Sequence, residues 1–271
     1  MKNKKYLVIC IITAVIIIAL LLINALVVNP HQLKVREERI KTSENNLDSF
    51  LIAYFADLHY GKNFKEKDLD GLVNKLNDIK PDILIFGGDL LSDIEIEDIE
   101  YLKEGLSSLY AKYGKFAVLG DEDFINNEAI NILKDCDFTI LDNKNEKIYV
   151  NGSFINVVGI DPIVNGNPNI EIAYEGVNHD YYTIVVSHCP DIASSLQFDK
   201  TNLILSAHTL GGPVYIPLIN YFYRPSGAKV YYKGKNNVKG VTLDITNGVG
   251  TKNKDIRLFA DAEIVLYKFT K

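Results

Sequence analysis

The feature that most constrains the fold is an acid and a histidine placed directly after a strand-like run. Residues 51–56 form an apolar, β-favouring run, and Asp57 and His59 follow it. Alternate side chains of an extended chain point the same way, so these two can reach one cation together. A second run, 83–86, is followed by two glycines and Asp89. Such runs are typical of buried strands in a parallel or mixed sheet, and α/β folds bind ligands at the carboxyl ends of such strands.

The same pattern recurs after three more apolar runs, which are followed by Asp121, His188 and His208. A single acid or histidine after a strand is usually a turn residue or a cap. Five strand ends that all supply ligand-type side chains instead predict a metal site. Mixed nitrogen and oxygen ligands suit Mn, Fe, Zn or Ni, as one or two divalent ions. The candidate metal ligands are Asp57, His59, Asp89, Asp121, His188 and His208.

Composition narrows the class of protein. A chain of 271 residues can hold one large domain or two small ones. No internal repeat or interior linker is visible, which favours one α/β domain. The net charge of −6 argues against a nucleic-acid-binding surface. The three cysteines are odd in number and indicate no disulfide framework.

The N-terminus carries a membrane signal. Residues 6–28 contain no charge and are rich in Ile and Leu, which is long enough to span a bilayer. A cleaved signal peptide is the alternative, but its apolar region is normally shorter and ends in small residues. Residues 24–29 offer no such cleavage pattern. We therefore predict a cytoplasmic tail and transmembrane anchor over residues 1–28 and a catalytic domain over 29–271.

The orientation of this anchor follows less directly from charge. Lysines precede the apolar segment, and four basic residues between 34 and 41 follow it. Long domains cross the membrane largely regardless of such charges. We expect a single-pass protein of the cell membrane with its domain outside the cytoplasm.

The rest of the chain alternates strand-like and helix-like segments. Residues 30 to about 46 read as a linker or a short amphipathic helix, and residues 32–41 could equally be an edge strand protected by its charges. Apolar spacing predicts helices over Glu66–Ile79 and Ile94–Tyr113. The aromatic stretch Tyr215–Tyr223 is predicted to be core rather than a substrate cover or a lipid contact. Further strands are predicted near 115–119, 154–160, 182–187, 202–206, 229–233, 240–245 and 263–268.

The order of motifs resembles the calcineurin-like metallophosphoesterases. Asp-x-His, Gly-Asp, a Gly-led acidic segment at 120–123, a lone His and Ser-Ala-His208 follow that family's order. The likeness extends from about Gln32 to Phe269 and is closer to a membrane-anchored bacterial branch. That branch is similar at His208–Gly212, Asn247–Thr251 and Glu263–Val265. The resemblance implies an α/β fold, an αββα sandwich of two mixed sheets, preceded by one N-terminal transmembrane helix.

The resemblance also implies a role for each candidate residue. Asp57, His59 and Asp89 would hold one metal, and Asp89 would bridge to a second metal held by the other three ligands, Asp121, His188 and His208. A water activated by the metals would attack phosphorus. The implied function is hydrolysis of a phosphate mono- or diester at the membrane surface. A small molecule, a lipid or an envelope compound would serve as the substrate.

Three positions depart from the family pattern. Asp121 stands where the family has Asn, Glu122 where it has a catalytic His, and Leu210 where it has the last metal-binding His. An ionised Glu122 would repel phosphate, although neighbouring carboxylates can share a proton. Leucine ligates nothing. The alternative function is therefore a catalytically weak or inactive relative that binds metal or phosphate compounds at the cell surface.

Five other residues could also belong to the site. Lys252, Lys254 and Arg257 are predicted to form a solvated face rather than to meet an anionic substrate. Cys189 is predicted to be a small buried residue rather than a ligand. Asp161 either lines the site or caps a turn.

Overall fold

Two six-stranded sheets packed face to face form the body of the protein. The computed structural model describes residues 2–42, 47–92, 99–125, 127–212, 214–215 and 224–271. Helices cover the outer faces of both sheets. This confirms the predicted αββα sandwich of two mixed sheets with an N-terminal apolar helix.

The twelve strands are named in chain order. They are β1 Lys34–Lys41, β2 Leu51–Phe55, β3 Ile83–Phe86, β4 Lys115–Ala117, β5 Phe138–Ile140, β6 Lys144–Val150, β7 Ser153–Ile160, β8 Tyr182–Ser187, β9 Leu203–Ser206, β10 Gly234–Val238, β11 Val241–Ile245 and β12 Glu263–Thr270.

The α-helices are α1 Lys2–Ile23, α2 Glu66–Ile79, α3 Ile99–Ser107, α4 Asn127–Asp135 and α5 Ile170–Ala173. A π-helical turn, Asn24–Val28, and a 3-10 turn, Asn29–His31, continue α1. Two more 3-10 turns, Pro190–Ser195 and Phe198–Lys200, follow β8.

Both sheets are mixed. The first has the order β1-β12-β2-β3-β4-β5, in which only the β12–β2 pair is antiparallel. The second has the order β10-β11-β9-β8-β7-β6, with antiparallel pairs at its two edges. The parallel strands of each sheet end at one edge, where candidate ligands follow them.

The period of two along β2 divides its side chains between two cores. Ile52 and Tyr54 pack between the sheets, while Ala53 and Phe55 pack under the outer helices. A third core lies outside the second sheet, under α5 and the 3-10 turns. Both faces of β2 are therefore buried, which explains why its sequence is apolar throughout.

Several predicted elements differ from those observed. Residues 32–41 include the edge strand β1, so the edge-strand alternative is the correct one. No strand forms at 229–233, because the backbone N–H groups of Lys229, Val230 and Tyr231 donate to the carboxylate of Asp191. The prediction missed α4, α5, β5, β6 and β10.

Two predictions fall partly on residues that the structure does not describe. The helix predicted over 94–113 is observed only over α3, Ile99–Ser107; residues 108–113 are not helical, and residues 94–98 lie outside the described part of the chain. Of the aromatic stretch 215–223, the positions 216–223 also lie outside it.

The N-terminal helix ends against the domain. Its apolar side chains are exposed along α1, and among the described residues it is the one helix long and apolar enough to cross a membrane. Beyond it, Ala25, Asn29 and Pro30 are buried. The N–H of Arg257 donates to the carbonyl of Ala25 at 2.9 Å, and Asn29 Nδ2 donates to the carbonyl of Arg257 at 3.3 Å. The division at residues 28 and 29 stays a prediction.

An ionic cluster ties the two sheets together near the ligand-bearing edge. Arg36 on β1 donates to both carboxylate oxygens of Asp244 on β11, at 3.0 and 3.1 Å. It also donates to Glu263 at the start of β12, at 3.1 and 3.2 Å. Glu263 in turn accepts the N–H of Asn247 at 3.0 Å. The cluster therefore fixes the start of the loop that follows β11.

Candidate metal centre

Four candidate ligands have a strained backbone. Asp57, His59, Asp89 and His208 have φ values of 55°, 47°, 60° and 71°. Non-glycine residues adopt this left-handed region infrequently, and such residues cluster at active sites and ligand clamps. Backbone hydrogen bonds hold the turns in place, since Asp57 N donates to Gly88 O at 2.9 Å and His59 N donates to Asp89 O at 3.2 Å.

Two glycines let the backbone approach the carboxylates. A Cβ on Gly120 would lie 2.2 Å from Asp89 Oδ1, and a Cβ on Gly248 would lie 2.6 Å from Asp57 Oδ2. Both distances are far below van der Waals contact. These positions therefore require glycine for close approach to candidate ligands.

His188 has one ring nitrogen fixed by the backbone and the other aimed at carboxylates. The side chain is fully buried, and Nδ1 donates to the carbonyl of Gly87 at 2.8 Å. Nε2 lies 3.2 Å from Asp89 Oδ2 and 3.8 Å from Asp57 Oδ1. A neutral ring presents a lone pair there, so two acceptors face each other. That arrangement needs a proton or a cation between them.

His208 repeats the arrangement on the neighbouring strand end. Nε2 donates to the carbonyl of Ser226 at 2.7 Å. Nδ1 lies 2.9 Å from Asp121 Oδ2. A backbone carbonyl that orients one nitrogen while the other faces a ligand group is typical of metal-binding histidines.

His59 is oriented by a carboxylate. Its Nδ1 lies 3.0 Å from Glu122 Oε2, and its Nε2 lies 3.9 Å from Asp89 Oδ2. All three candidate histidines therefore have one nitrogen held by an oxygen and the other turned towards an acid.

The donor set fits a divalent cation. Both carboxylate oxygens of Asp57 and the Nε2 of His188 are buried without a hydrogen-bond partner. Buried polar groups are nearly always satisfied, and an unsatisfied one calls for an explanation such as a bound ion. One or two cations bound beside Asp57, Asp89 and His188 would satisfy these atoms.

The ligand-type side chains form three neighbouring groups. In each group the ligand atoms lie within 4.8 Å of one another. Asp89 belongs to two of them, as a bridging role would require, and the rings of His188 and His208 are 5.2 Å apart. The structure thus brings all six predicted ligands to one place, while their coordination to metal stays a prediction. The groups are Asp57, Asp89 and His188; His59, Asp89 and Glu122; and Asp121, Cys189 and His208.

The electrostatics of the centre favour a positive charge among the carboxylates. Burial raises the pKa of Asp57, with His188 opposing this shift and Asp89 adding to it. Burial also acts to raise the pKa of Asp89, but the charges of His188 and His59 outweigh it and hold that pKa well below its ordinary value. Burial acts to lower the pKa of His188, yet the Asp89 carboxylate raises it well above the ordinary value. The carboxylates thus stabilise a positive charge on His188, as they would stabilise a cation.

Glu122, the candidate catalytic residue, is paired on both sides. Its Oε1 accepts a hydrogen bond from Lys252, and its Oε2 faces His59. Burial acts to raise the Glu122 pKa, but the hydrogen bond with His59 and the nearby charges lower it below the ordinary value. Glu122 is therefore ionised, and its charge is balanced by Lys252 and His59 rather than by a shared proton.

Asp123 supports the site by accepting hydrogen bonds from its backbone, and the sequence analysis did not identify this role. This buried carboxylate accepts the N–H groups of Asp89 at 2.8 Å, Leu90 at 3.0 Å and Gly120 at 2.8 Å. Burial raises its pKa to about 6, and the Asp89 charge adds to the shift. The sequence feature that could have indicated Asp123 is its place as the third acid in the run 121–123.

Arg257 does not belong to a solvated face, so that prediction is wrong for this residue. Its side chain is fully buried and donates to the carbonyls of Asn247, Gly248, Gly250 and Ala260. Burial lowers its pKa to about 10. Arg257 thereby holds the loop whose Gly248 lies against Asp57. Lys252, which was predicted to lie on the same solvated face, is about half exposed and contacts Glu122.

Leu210 and Cys189 are both buried. Leu210 has a φ of 52°, a conformation that leucine disfavours. Cys189 is a small buried residue, as predicted, and its Sγ lies 3.4 Å from Asp121 Oδ1. Burial raises the pKa of the Cys189 thiol.

Comparison with known proteins decides the family. Residues 50–212 match the family model of the calcineurin-like phosphoesterases. The chain belongs to this family. Membership places this phosphoesterase among the hydrolases that act on phosphoric ester bonds and implies that it binds divalent metal.

Several curated relatives share most of the domain. The metallophosphoesterase YkuE of Bacillus subtilis is 27% identical over 88% of this chain and 86% of its own. A bovine transmembrane protein with a metallophosphoesterase domain is 27% identical over 69% of this chain and 46% of its own. The UDP-2,3-diacylglucosamine pyrophosphatase LpxG of Chlamydia trachomatis is 23% identical over 64% of this chain and 67% of its own.

Proposed function

We propose that this phosphoesterase is membrane-anchored and hydrolyses a phosphate mono- or diester at the membrane surface. The observation that carries the proposal is the set of unsatisfied acceptor atoms on Asp57 and His188, buried beside Asp89. Water does not reach these atoms, and no protein donor among the described residues satisfies them. The family relationship supports hydrolysis as the chemistry of such a site.

Six residues would hold the metal. Asp57, His59 and Asp89 would bind one ion, and Asp89 would share a second with Asp121, His188 and His208. One or two ions of Mn, Fe, Zn or Ni suit these nitrogen and oxygen donors. When bound, such ions stabilise charge on phosphoryl oxygens and make water a stronger nucleophile at neutral pH.

The chain's own residues orient this donor set. Gly87 and Ser226 carbonyls fix the tautomers of His188 and His208, so that the free nitrogen of each faces the carboxylates. Asp123 holds the backbone of Asp89 through its N–H group. These contacts act before substrate arrives, which reduces the reorganisation needed in the transition state.

Glu122 and Lys252 would act on the substrate side. Glu122 orients His59 and holds the Lys252 ammonium close to the acids. Lys252 is about half exposed and can also donate to a phosphoryl oxygen. Lys252, rather than the neutral pair, would supply a positive charge near the position that the resemblance assigns to the family's imidazole.

The membrane supplies the context for the substrate. One N-terminal apolar helix is long enough to span a bilayer, and a bovine relative is a transmembrane protein. We infer a single pass, with the domain outside the cytoplasm. A relative named for a diacylated nucleotide sugar supports an amphiphilic phosphoester, lipid or envelope compound as substrate. The net charge of −6 offers no support for nucleic acid.

A second candidate function is binding of metal or phosphate compounds with weak or no turnover. Leu210 favours it, because an apolar side chain at the position of an expected ligand leaves the first ion with three protein ligands. Fewer ligands lower metal affinity, and water would have to complete the shell.

The experiment uses the full chain in detergent, stripped with chelator and reloaded with Mn, Fe, Zn, Ni or Mg. Elemental analysis counts the bound ions, and aryl phosphate mono- and diesters report turnover. Two ions with turnover support the phosphoesterase. One tightly bound ion without turnover of any ester would leave the binding function, and no bound ion would refute both the phosphoesterase and metal binding.

A further inference from the structure

A cavity lies where the N-terminal helix meets the domain. Its volume is about 730 Å³. Val27, Pro30 and His31, which follow α1, form one wall, and α2 forms another. Apolar side chains that include Phe64 and Val249 form part of the lining. The cavity is thus partly apolar and adjoins the segment that would leave the membrane.

The lining of the cavity has more lysines than acids. Its four lysines are Lys62, Lys65, Lys67 and Lys75. In the part of the chain that the structure describes, none of the four forms an ion pair. The two lining acids, Asp68 and Asp255, instead flank His31, at 2.9 Å from its Nδ1 and 3.1 Å from its Nε2. The lining therefore has two more lysines than acids, and its lysines are free to bind an anion.

A glycine in α2 keeps this space open. Gly71 lies in the cavity wall, one turn from Lys67 and one turn from Lys75. A Cβ at Gly71 would meet no atom within 4 Å. Glycine in a helix interior lowers stability relative to alanine, and packing does not require it here. A ligand between the two lysines would explain why the position carries no side chain.

The position of the cavity indicates where its ligand comes from. Side chains along α1 are exposed, and the first residue after α1 to be buried by the domain is Ala25. If α1 spans the bilayer, the membrane surface lies near that residue, and the cavity lies at the level of the head groups. Lysines at this level attract anionic lipids.

We propose that this cavity binds the phosphate-bearing head group of an anionic phospholipid from the leaflet at the C-terminal end of α1. The inference rests on the membrane placement of α1 proposed above and is independent of hydrolysis. The lysines on α2 contact the phosphate, and the apolar lining contacts the glycerol and the first acyl carbons.

The cavity shares its walls with the metal centre. The N–H of Val249 donates to the carbonyl of Ala56, next to Asp57, at 3.0 Å. Asn63 Nδ2 donates to the carbonyl of Thr251, next to Lys252, at 3.3 Å. A lipid bound here therefore contacts the loops that carry site residues. It would hold the metal centre at a fixed height above the bilayer surface.

The test measures lipid binding to the full chain in maltoside detergent by native mass spectrometry and calorimetry. Dioctanoyl phosphatidylglycerol, dioctanoyl phosphatidylcholine and inorganic phosphate are the probes. We expect the anionic lipid to bind at least about fivefold more tightly than the zwitterionic one, because each lysine near the head group adds attraction. The double variant Lys67→Ala, Lys75→Ala should lose this preference, whereas Lys67→Arg, Lys75→Arg should keep it.

Two further variants separate the cavity from general charge. Gly71→Leu fills the space without changing charge and should also lose binding, while Lys134→Ala, Lys144→Ala removes two exposed lysines elsewhere and should not. Equal affinity for the two lipids, unchanged binding by the cavity variants, or phosphate that binds as tightly as the anionic lipid would each overturn the proposal. Hydrolysis of a soluble aryl diester is measured in parallel. Turnover without lipid preference refutes only the lipid site, and lipid preference without turnover refutes only the proposed hydrolysis.

Discussion

Lys252 donates a hydrogen bond from its Nζ to Oε1 of Glu122, the acid that we propose stands at the position of the family's catalytic histidine. The other oxygen of Glu122 lies 3.0 Å from His59 Nδ1. The acid therefore sits between an ammonium and an imidazole. If Glu122 lies beside the substrate, Lys252 and His59 would balance its negative charge there.

The first prediction concerns this pair. Lys252→Met should lower kcat/KM for an aryl phosphodiester by about tenfold, because Glu122 would then repel the phosphoryl group. The loss should shrink at high salt, since the pair is partly exposed and its charges are screened. Lys254→Met, which removes an exposed lysine two residues away, is the control. Equal activity of wild type and Lys252→Met at low salt would show that Lys252 does not compensate Glu122.

The second prediction concerns the bridging acid. Asp89→Asn should lower the occupancy of both proposed ions, because Asp89 would bridge them and an amide is a weaker ligand than a carboxylate. Asp89 already belongs to two of the three groups of ligand-type side chains. Elemental analysis of the purified chain measures the ion content, and a thermal melt measures the accompanying change in stability. Asp48→Asn changes an exposed carboxylate as control. Unchanged ion content and an unchanged Tm would rule out the bridge assignment.

The third prediction concerns Arg257. Arg257→Ala should lower the free energy of unfolding by about 3 kcal/mol or more, because four backbone carbonyls lose a buried donor and a cavity is left. Urea unfolding checks this value. Metal content should fall as well, since Gly248 would no longer be held against Asp57. Arg39→Ala, at an exposed position on β1, should have little effect. A stability loss as small as that of the control would show that the carbonyls find other donors.

The fourth prediction is a pH dependence. Burial and the neighbouring Asp142 carboxyl raise the pKa of Asp161 to about 7. The folded chain therefore keeps a proton on Asp161 that the unfolded chain releases near pH 4, so the contribution of Asp161 to the free energy of unfolding falls as pH rises from about 4 to about 7. Asp161→Asn should remove this fall, and Asp142→Asn should reduce it. Tm values across this range test it. Parallel curves for wild type and Asp161→Asn would show that Asp161 ionises normally.

The sequence predicts the centre of this fold well because local patterns determine it. Both faces of β2 are buried, so its run is apolar throughout, and Asp57 follows it at the end of the strand. Ligand-type side chains at strand ends converge whenever those strands lie side by side in parallel. This geometry is common to the open α/β folds.

Features that depend on contacts between distant residues could not be predicted in the same way. The carboxylate of Asp191 binds the backbone at 229–231 and prevents the predicted strand, although those residues favour β structure. Arg257 looks like a surface cation until its four carbonyl partners are known. The contact between Lys252 and Glu122 joins residues 130 positions apart in the chain, and no local pattern indicates it.

The last prediction restores the missing ligand. Leu210 is buried with a φ of 52°, a conformation in which histidine is several-fold enriched and leucine is not. Leu210→His should therefore fold without added backbone strain. If Leu210 occupies the position of the missing ligand, the imidazole should raise the affinity of the first ion, because a more complete ligand shell binds metal more tightly. Competition with a chromophoric chelator measures that affinity.

Combined with Glu122→His, the substitution should also raise the rate. The double variant removes a negative charge beside the phosphoryl group and frees the Lys252 ammonium to contact it. We expect aryl phosphodiester hydrolysis at least about tenfold faster than in wild type, which corresponds to roughly 1.4 kcal/mol of barrier. Leu210→Asn, which also tolerates the left-handed backbone, separates relief of strain from ligation. If the folded double variant gains neither metal affinity nor rate, Leu210 and Glu122 do not occupy the ligand and phosphoryl positions, and the binding function becomes the better account of this site.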